Sequence, residues 1–143
     1  MVELSSDRLH ATAVAIGGVA VLIEGPSGSG KSDLALRLID RGAMLISDDQ
    51  TLLIRAGSRL LARPPQTIAG KLEIRGVGIL SMPHVADIPV AMLVRLQDQV
   101  QRMPDRRIRR IAGIDVPEVA IEPFHSSAPI KIEFALRNGV ALA

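Results

Sequence analysis

The sequence predicts an α/β fold in which a mixed β-sheet is flanked by few helices, and three observations lead to this prediction. Short apolar runs separated by turn residues recur along most of the 143 residues, a pattern typical of β-strands. Helical periodicity and capping residues are confined to residues 31–41 and 128–138. The first of these helices directly follows an apolar strand and a glycine-rich loop at residues 25–30, which together form a strand–loop–helix unit.

The individual elements follow from local patterns. The first helix places Leu34 and Leu38 on one face and meets Gly42 as its C-terminal cap. The second helix opens at Ser127 as a cap and has Pro129 in its first turn. Strands are predicted at residues 9–16, 19–24, 44–47, 51–56, 59–63, 77–82, 90–96 and 119–121.

Composition indicates one globular domain over residues 1–143 and argues against several function classes. Hydrophobic residues make up 48% of the chain and charged residues 22%, which is ordinary globular composition. Without cysteine the chain can form neither disulfides nor thiolate metal sites. Two Phe, no Tyr or Trp and a net charge of +2 argue against a nucleic-acid partner. With no signal-peptide pattern and no apolar run near the ~20 residues of a membrane span, we expect a cytoplasmic protein without a membrane partner.

Residues 25–32 read GPSGSGKS and match the phosphate-binding pattern G-x-x-x-x-G-K-[ST] in full. The glycines permit a tight turn that aims backbone N–H groups at an anion, and the helix N-terminus adds its dipole. Lys31 would neutralise the β- and γ-phosphates of a nucleotide, and the Ser32 hydroxyl would bind Mg²⁺. The alternative is a glycine-rich turn that fits the pattern by chance. The predicted nucleotide-binding residues are Gly25, Pro26, Ser27, Gly28, Ser29, Gly30, Lys31 and Ser32.

Two adjacent carboxylates, Asp48 and Asp49, follow the next predicted strand. If the helix forms a right-handed crossover, this strand lies parallel and close to the strand before the loop, and both open on the same sheet edge. One carboxylate could then serve the metal, and the other could accept the proton of a Ser or Thr hydroxyl during phosphoryl transfer. The alternative is that Asp-Asp is only a turn signal before Thr51.

Three segments together resemble one protein family. HATAVAI at residues 10–16, GPSGSGKSDLALRLIDRGAMLISDD at residues 25–49 and LEIRGVGIL at residues 72–80 are similar to the catalytic domain of the bacterial HPr kinase/phosphorylase. The resemblance runs from about residue 8 to residue 136, and the segment Glu73–Ile79 is specific to that family. It implies a P-loop-containing kinase domain, in a short form that consists of the catalytic (C-terminal) domain only.

The resemblance also implies roles for individual residues. His10 matches an active-site histidine, and Asp49 matches the residue that accepts a proton in phosphorylation and donates it in the reverse reaction. Glu73 matches a second magnesium ligand, and Arg75 belongs to a segment needed for both reactions. The predicted metal ligands are Ser32, Asp48 and Glu73.

The Arg-rich segment at residues 97–114 is polar, and we predict a long mobile surface loop there. The family has a catalytic arginine in such a loop, within an Asp-Arg pair. Asp105-Arg106 is the best match, although Arg107, Arg109 and Arg110 stand beside it. Residues 116–121 correspond to the family's segment tied to dephosphorylation. The predicted catalytic residues are His10, Lys31, Asp49 and Arg106.

The implied activity is that of an ATP- and Mg²⁺-dependent protein serine kinase. Its implied substrate is an HPr-like phosphocarrier of the phosphotransferase system, and the reverse reaction is phosphorolysis with inorganic phosphate, which yields pyrophosphate. The resemblance also implies a homo-oligomer, a hexamer in the family. Two alternatives stay open, namely a small-molecule kinase that uses the same loop and a non-catalytic module that responds to nucleotide.

Overall fold

Eleven strands and two α-helices form the fold within residues 6–139, the part of the chain that the computed structural model describes. The strands are β1 (Ser6–Leu9), β2 (Ala11–Ile16), β3 (Val19–Glu24), β4 (Met44–Ser47), β5 (Thr51–Ala56), β6 (Arg59–Arg63), β7 (Lys71–Ile74), β8 (Gly78–Ser81), β9 (Ile88–Leu96), β10 (Arg107–Ile111) and β11 (Ile114–Ile121). The helices are α1 (Lys31–Asp40) and α2 (Ala128–Asn138), and Gln66–Ile68 form a 3₁₀ turn. The mixed α/β architecture that the sequence predicts is confirmed. Neither described helix has the length and apolar character needed to cross a membrane.

Strand β9 connects the two parts of the main sheet. Its first two residues pair antiparallel with β6, whereas its later residues run parallel to both β3 and β11. The parallel part of β9 lies in the order β10-β11-β9-β3-β2-β4. The first residues of β9 pair with β6, and from there the sheet continues to β5 and then β1. Strands β7 and β8 form a separate hairpin. Because β9 and β11 run parallel to β3, their carboxyl ends lie at the same edge of the sheet as the end of β3.

Alternate residues of β3 contribute to two separate hydrophobic cores. Val21 and Ile23 pack with residues of both helices, whereas Ala20 and Leu22 pack with residues of β5 and β6. All four side chains are fully buried, as the period of two in a strand requires when both faces are covered. The helices therefore cover one face of the sheet, and the β5–β6 hairpin covers the other.

The helix ends follow the predicted capping residues. The amide of Gly42 bonds back to the carbonyl of Ile39 just beyond α1. Gly139 ends α2 in the left-handed conformation, and Pro129 lies in the first turn of that helix. Ser127 occupies the N-cap position of α2 as predicted, but its side chain makes no capping hydrogen bond to the helix.

The prediction of a loop over residues 97–114 is wrong in its second half. Residues 107–111 form β10, and the last strand of the sheet begins at Ile114 instead of Val119. Besides the antiparallel backbone ladder, ion pairs join β10 to β11, with Arg110 bonded to its register partner Asp115 and Arg109 to the diagonally placed Glu118. Three of the five residues of this strand are arginines, so it lacks the apolar alternation by which strands are predicted.

The glycine-containing segment at residues 72–80 is a hairpin. The strand predicted at residues 77–82 is confirmed as β8, which begins at Gly78 and ends at Ser81. The strand before it, β7, was not predicted; it ends at Ile74, and a turn through Gly76 joins the two strands. The hairpin geometry brings Glu73 beside the ends of the main-sheet strands.

Candidate active site

The phosphate-binding loop connects β3 to α1, as predicted. Gly30 is the N-cap of α1 and has φ +100°, a left-handed conformation that favours glycine. A Cβ at this position would also lie 3.0 Å from the ring of Phe124, so a side chain here would require that ring to shift. Because no side chain caps α1, its first backbone N–H groups remain available to an anion.

The interior of the loop is closely packed around Ser29. Its amide donates to the carbonyl of Pro26 at 3.0 Å. A Cβ on Gly25 would lie 2.5 Å from the Ser29 hydroxyl oxygen, which accounts for a glycine there. That hydroxyl is buried and has no hydrogen-bond partner within residues 6–139. An unsatisfied buried hydroxyl in a loop of this sequence fits a site that binds phosphate oxygens.

The Lys31 side chain lies under the loop with only 5% of its surface exposed. Its Nζ atom donates to the carbonyl oxygens of Gly25 at 2.7 Å and Pro26 at 3.2 Å. The same atom lies 3.9 Å from Oδ1 of Asp49. A desolvated ammonium group surrounded by oxygens interacts strongly with any anion that enters the loop.

Asp48 is nearly buried and accepts three hydrogen bonds. Its Oδ1 accepts from Ser32 Oγ at 2.6 Å and from Thr12 Oγ1 at 3.0 Å, and its Oδ2 accepts from the backbone N–H of Glu73 at 3.1 Å. A Ser32 hydroxyl that donates to Asp48 presents its lone pairs elsewhere. This is the orientation in which that oxygen can bind a cation.

Asp49 stands at the exposed side of the same edge. Its Oδ1 lies 2.5 Å from Nε2 of His10, which occupies the bend between β1 and β2. The predicted strand at residues 9–16 is thus interrupted at His10, and this bend turns the imidazole towards Asp49. Asp49 has φ +65°, a conformation rare for a residue with a side chain, and the Thr12 hydroxyl accepts a hydrogen bond from its amide at 3.0 Å.

The strand order explains why these groups meet. Strand β4 runs parallel to β3, as the predicted crossover requires, but β2 lies between the two strands. Since β2 is antiparallel to both, its first residue pairs with Glu24 at the end of β3. His10, the phosphate-binding loop and the two carboxylates therefore share one edge of the sheet.

The phosphate-binding loop and the two carboxylates line one cleft of about 810 Å³, and His10 contacts Asp49 from outside the cleft lining. Glu73 and Arg75 contribute to its wall from the β7–β8 hairpin. Within residues 6–139 the structure forms no group of three or more His, Asp or Glu side chains suited to a metal ion. It does bring Ser32 and Asp48 together, and Mg²⁺ is commonly held by one or two such oxygens together with substrate phosphates and water. The residues present therefore fit Mg²⁺ that enters with a nucleotide.

Comparison with known proteins identifies the family. A family model described as the HPr Serine kinase C-terminal domain matches residues 3–138. The chain belongs to this family. The resemblance to the HPr kinase catalytic domain seen in the sequence is thereby confirmed.

Individual members of the HPr kinase family share the fold and the sequence. The solved structure of the Hpr(Ser) kinase/phosphatase from Coxiella burnetii has a TM-score of 0.81 and 31% identity, and the match covers 94% of this chain and 96% of that chain. The HPr kinase/phosphorylase of Mycoplasmopsis pulmonis is 30% identical over 95% of this chain and 44% of its own length. That of Limosilactobacillus reuteri is 37% identical over 79% of this chain and 40% of its own length. The chain spans less than half the length of these two curated relatives.

Arg106, predicted as the catalytic arginine of this HPr kinase domain, is not brought to the cleft. It is exposed in the segment that precedes β10 and is not among the described residues that line the cleft. Arg109 instead binds both carboxylate oxygens of Glu24, at 2.8 and 2.9 Å, and one oxygen of Glu118 at 2.8 Å. The hydrogen bond to Glu24 raises the pKa of the Arg109 guanidinium above its ordinary value. Arg109 thus anchors β10 to the strand that precedes the phosphate-binding loop.

Two residues of the site are not apparent from sequence patterns. The Thr12 hydroxyl donates to the Asp48 carboxylate and accepts from the backbone N–H of Asp49, and its sequence signal is a lone hydroxyl in the apolar run of β2. Phe124 lies against Gly30 and lines the cleft. The sequence feature that could have pointed to Phe124 is the scarcity of aromatic residues, since the chain contains only two.

Proposed function

We propose that this chain is an ATP- and Mg²⁺-dependent protein serine kinase that phosphorylates an HPr-like phosphocarrier, and that the same site removes the phosphate by phosphorolysis. Membership of the HPr kinase family supports the reaction class, and relatives named HPr kinase/phosphorylase support both directions. One observation carries the proposal. Oδ1 of Asp49 lies 2.5 Å from His10 and 3.9 Å from the phosphate-loop lysine, so a carboxylate faces the place where a bound γ-phosphate would end.

In the forward reaction the chain's own groups position the reactants and move one proton. The loop amides and Lys31 bind the β- and γ-phosphates of ATP. Asp49 takes the proton of the substrate serine hydroxyl while the serine oxygen forms a bond to the γ-phosphorus. The bond from that phosphorus to the bridging oxygen breaks, and ADP leaves. His10 holds the Asp49 carboxylate in place, and positioning and charge stabilisation of this kind supply most of the catalysis in phosphoryl transfer.

The oxygen atoms of Ser32 and Asp48 would hold Mg²⁺, with Glu73 at the wall of the cleft. The bound ion supplies positive charge to the phosphate oxygens. Asp48 accepts a hydrogen bond from the Ser32 hydroxyl, which leaves the lone pairs of that oxygen free, and these would bind the ion.

In the reverse reaction the same carboxylate acts as an acid. Inorganic phosphate would occupy the loop beside Lys31, and protonated Asp49 returns its proton to the serine oxygen. The bond between that oxygen and the phosphorus breaks as a phosphate oxygen forms the new bond. The products are free serine and pyrophosphate, so atoms and charge balance with the groups already described.

We also propose that the chain forms a homo-oligomer. Large apolar side chains stand exposed on the β7–β8 hairpin, in β10 and in the segment before β10, which supports burial against another copy. They are Val77, Ile79, Met103 and Ile108. Sedimentation with and without nucleotide measures the mass in solution, and a monomer at all concentrations would contradict this expectation.

A transfer assay with γ-labelled ATP and several acceptors tests the function. We expect serine-linked label on an HPr-like phosphocarrier with Mg²⁺ and loss of that label when EDTA is added. We also expect release of pyrophosphate when the labelled product is incubated with phosphate. Lys31→Met should abolish transfer, whereas Lys131→Met, on the exposed surface of α2, should not. Label that appears only on small metabolites, or ATP binding with no transfer, would contradict the proposal and favour the two alternative functions.

A further inference from the structure

The side chain of Phe124 is held in an exposed position at the mouth of the cleft. It is 70% exposed and lines the cleft together with the phosphate-binding loop. Two of its ring carbons lie 3.0 and 3.1 Å from where a Cβ of Gly30 would be, so the ring packs against the backbone of the last glycine in the loop. An exposed phenyl ring beside a phosphate site is a surface on which an apolar part of a ligand can rest.

The backbone on both sides of Phe124 is fixed. Arg37 of α1 donates hydrogen bonds to the carbonyls of Pro123 and His125, the two residues that flank the phenylalanine. Glu122 accepts the backbone N–H of Val100 at 3.0 Å and also pairs with His125. The ring is therefore presented by a pinned segment, and this lowers the entropy lost when a ligand packs on it.

The strand order places Phe124 and Asp49 on opposite sides of the phosphate-binding loop. Asp49 follows β4, which lies two strands from β3 in one direction, and Phe124 follows β11, which lies two strands from β3 in the other. The terminal phosphate must reach Asp49 for the proposed transfer. The nucleoside end of ATP therefore leaves the loop towards Phe124.

Of the two aromatic residues in the chain, Phe124 is the one whose ring is available to a nucleobase. The chain has no Tyr or Trp, and its second aromatic residue is Phe134 on α2. The guanidinium of Arg137 stacks on the ring of Phe134, 4.3 Å from its centroid. One face of the Phe134 ring is thus already engaged, and Phe134 is not one of the described residues that line the cleft.

We infer that Phe124 is the nucleobase platform of this site and stacks on the purine ring of the bound nucleoside triphosphate. This inference rests on the proposed function, which requires ATP in the cleft. Stacking reads the π-face of a base and not its hydrogen-bonding edge, so adenine and guanine nucleotides should bind with similar affinity at this contact. Loss of the ring should weaken binding by about tenfold, in the range measured for stacked bases.

The affinities for nucleotides and for an inorganic phosphate chain distinguish stacking on the base from structural support of the phosphate-binding loop. We expect Phe124→Ala to raise the Kd of ATP and GTP about tenfold and to leave the Kd of inorganic tripolyphosphate unchanged. Phe134→Ala, at the other phenylalanine, should change neither constant. Equal ATP affinity in wild type and Phe124→Ala would overturn the inference. So would an equal loss for tripolyphosphate, because Phe124 would then act on the loop.

A tryptophan at this position gives a second, independent readout. Because the chain has no native Trp, Phe124→Trp introduces a single fluorophore, and we expect ATP but not tripolyphosphate to quench it. Phe134→Trp is the matched control and should not respond.

Wild-type protein that binds no nucleotide would overturn both the proposed function and this inference. Wild-type protein that binds ATP, with no response at position 124, would overturn only the inference. Normal ATP binding by Phe124→Ala with a raised KM for the protein acceptor would assign the ring to the acceptor instead.

Discussion

Nε2 of His10 lies 2.5 Å from Oδ1 of Asp49, although the two residues are 39 positions apart in the chain. The same carboxylate oxygen lies 3.9 Å from Nζ of Lys31. The His10 and Asp49 side chains are 52% and 57% exposed, so this contact is open to an incoming substrate. One carboxylate thus connects a solvent-facing histidine to the lysine of the phosphate-binding loop.

His10 should act by positioning Asp49. We expect His10→Ala to lower kcat by about tenfold or more while the KM for ATP stays the same, because the bond to Asp49 is lost and the phosphate-binding loop is untouched. Steady-state kinetics with varied ATP measures both constants. His84→Ala is the control, since among the described residues it is the His10 side chain, and not that of His84, that contacts Asp49. An increase in KM with unchanged kcat would contradict a positioning role.

Thr12 should contribute to both stability and catalysis. Thr12→Val removes one of the three hydrogen bonds to Asp48 and the hydroxyl partner of the Asp49 amide, so we expect the free energy of unfolding to fall by about 1–3 kcal/mol. Denaturant titration measures this change. Thr51→Val is the matched control, because Thr51 is equally buried but donates to the carbonyl of Ala11. Both variants should be destabilised, but kcat should fall only for Thr12→Val, and equal kcat values would contradict the assignment.

Ser32 should set the magnesium requirement. We expect Ser32→Ala to raise the Mg²⁺ concentration for half-maximal ATP binding by about tenfold or more, because one oxygen donor and its orienting bond to Asp48 are removed. Calorimetric titration of ATP at a series of Mg²⁺ concentrations measures the shift. Ser81→Ala, on an exposed strand residue, should behave as wild type. An unchanged Mg²⁺ dependence in Ser32→Ala would place the ion elsewhere.

Substitution of Arg109 should affect the stability of the fold, whereas substitution of Arg106 should affect the rate of catalysis. Arg109→Ala removes bonds to two carboxylates and should lower the free energy of unfolding by about 1.5–3 kcal/mol. Arg106→Ala should leave the Tm unchanged, because the side chain is exposed, and should lower kcat by at least about tenfold if it closes on the transferring phosphoryl group. Thermal melts and transfer rates on both variants test this. Full activity in Arg106→Ala would contradict its predicted catalytic role.

The strands and the phosphate-binding loop could be predicted because their signals are local. Strands β3 to β6 have the predicted bounds, since each is a short apolar run that ends at Gly, Asp or Pro. The loop motif specifies its own geometry through Gly25 and Gly30. The resemblance to the HPr kinase family then assigned His10 and Asp49 to one site, and the structure places them in contact.

The remaining features depend on contacts between distant segments. Thr12 acts through residues 36 and 37 positions further along the chain, and a single threonine in a strand does not reveal them. Strand β10 contains Arg109 and Arg110, whose ion-pair partners lie in β11, so its sequence has the composition of a loop. The position of Phe124 depends on Arg37, which donates hydrogen bonds to the carbonyls of Pro123 and His125, 86 and 88 positions further along the chain.

The rate of serine-linked phosphate transfer by Asp49→Asn tests the central claim most directly. Asn keeps the size of the side chain and tolerates φ above zero, so the fold and the ATP affinity should be retained while the base is lost. Asp87→Asn is the matched control, because Asp87 is also exposed and has φ +59°. We predict that label from γ-labelled ATP appears on the serine of an HPr-like phosphocarrier with wild type and Asp87→Asn, and falls by about 100-fold or more with Asp49→Asn. Transfer by Asp49→Asn at the wild-type rate would contradict the account.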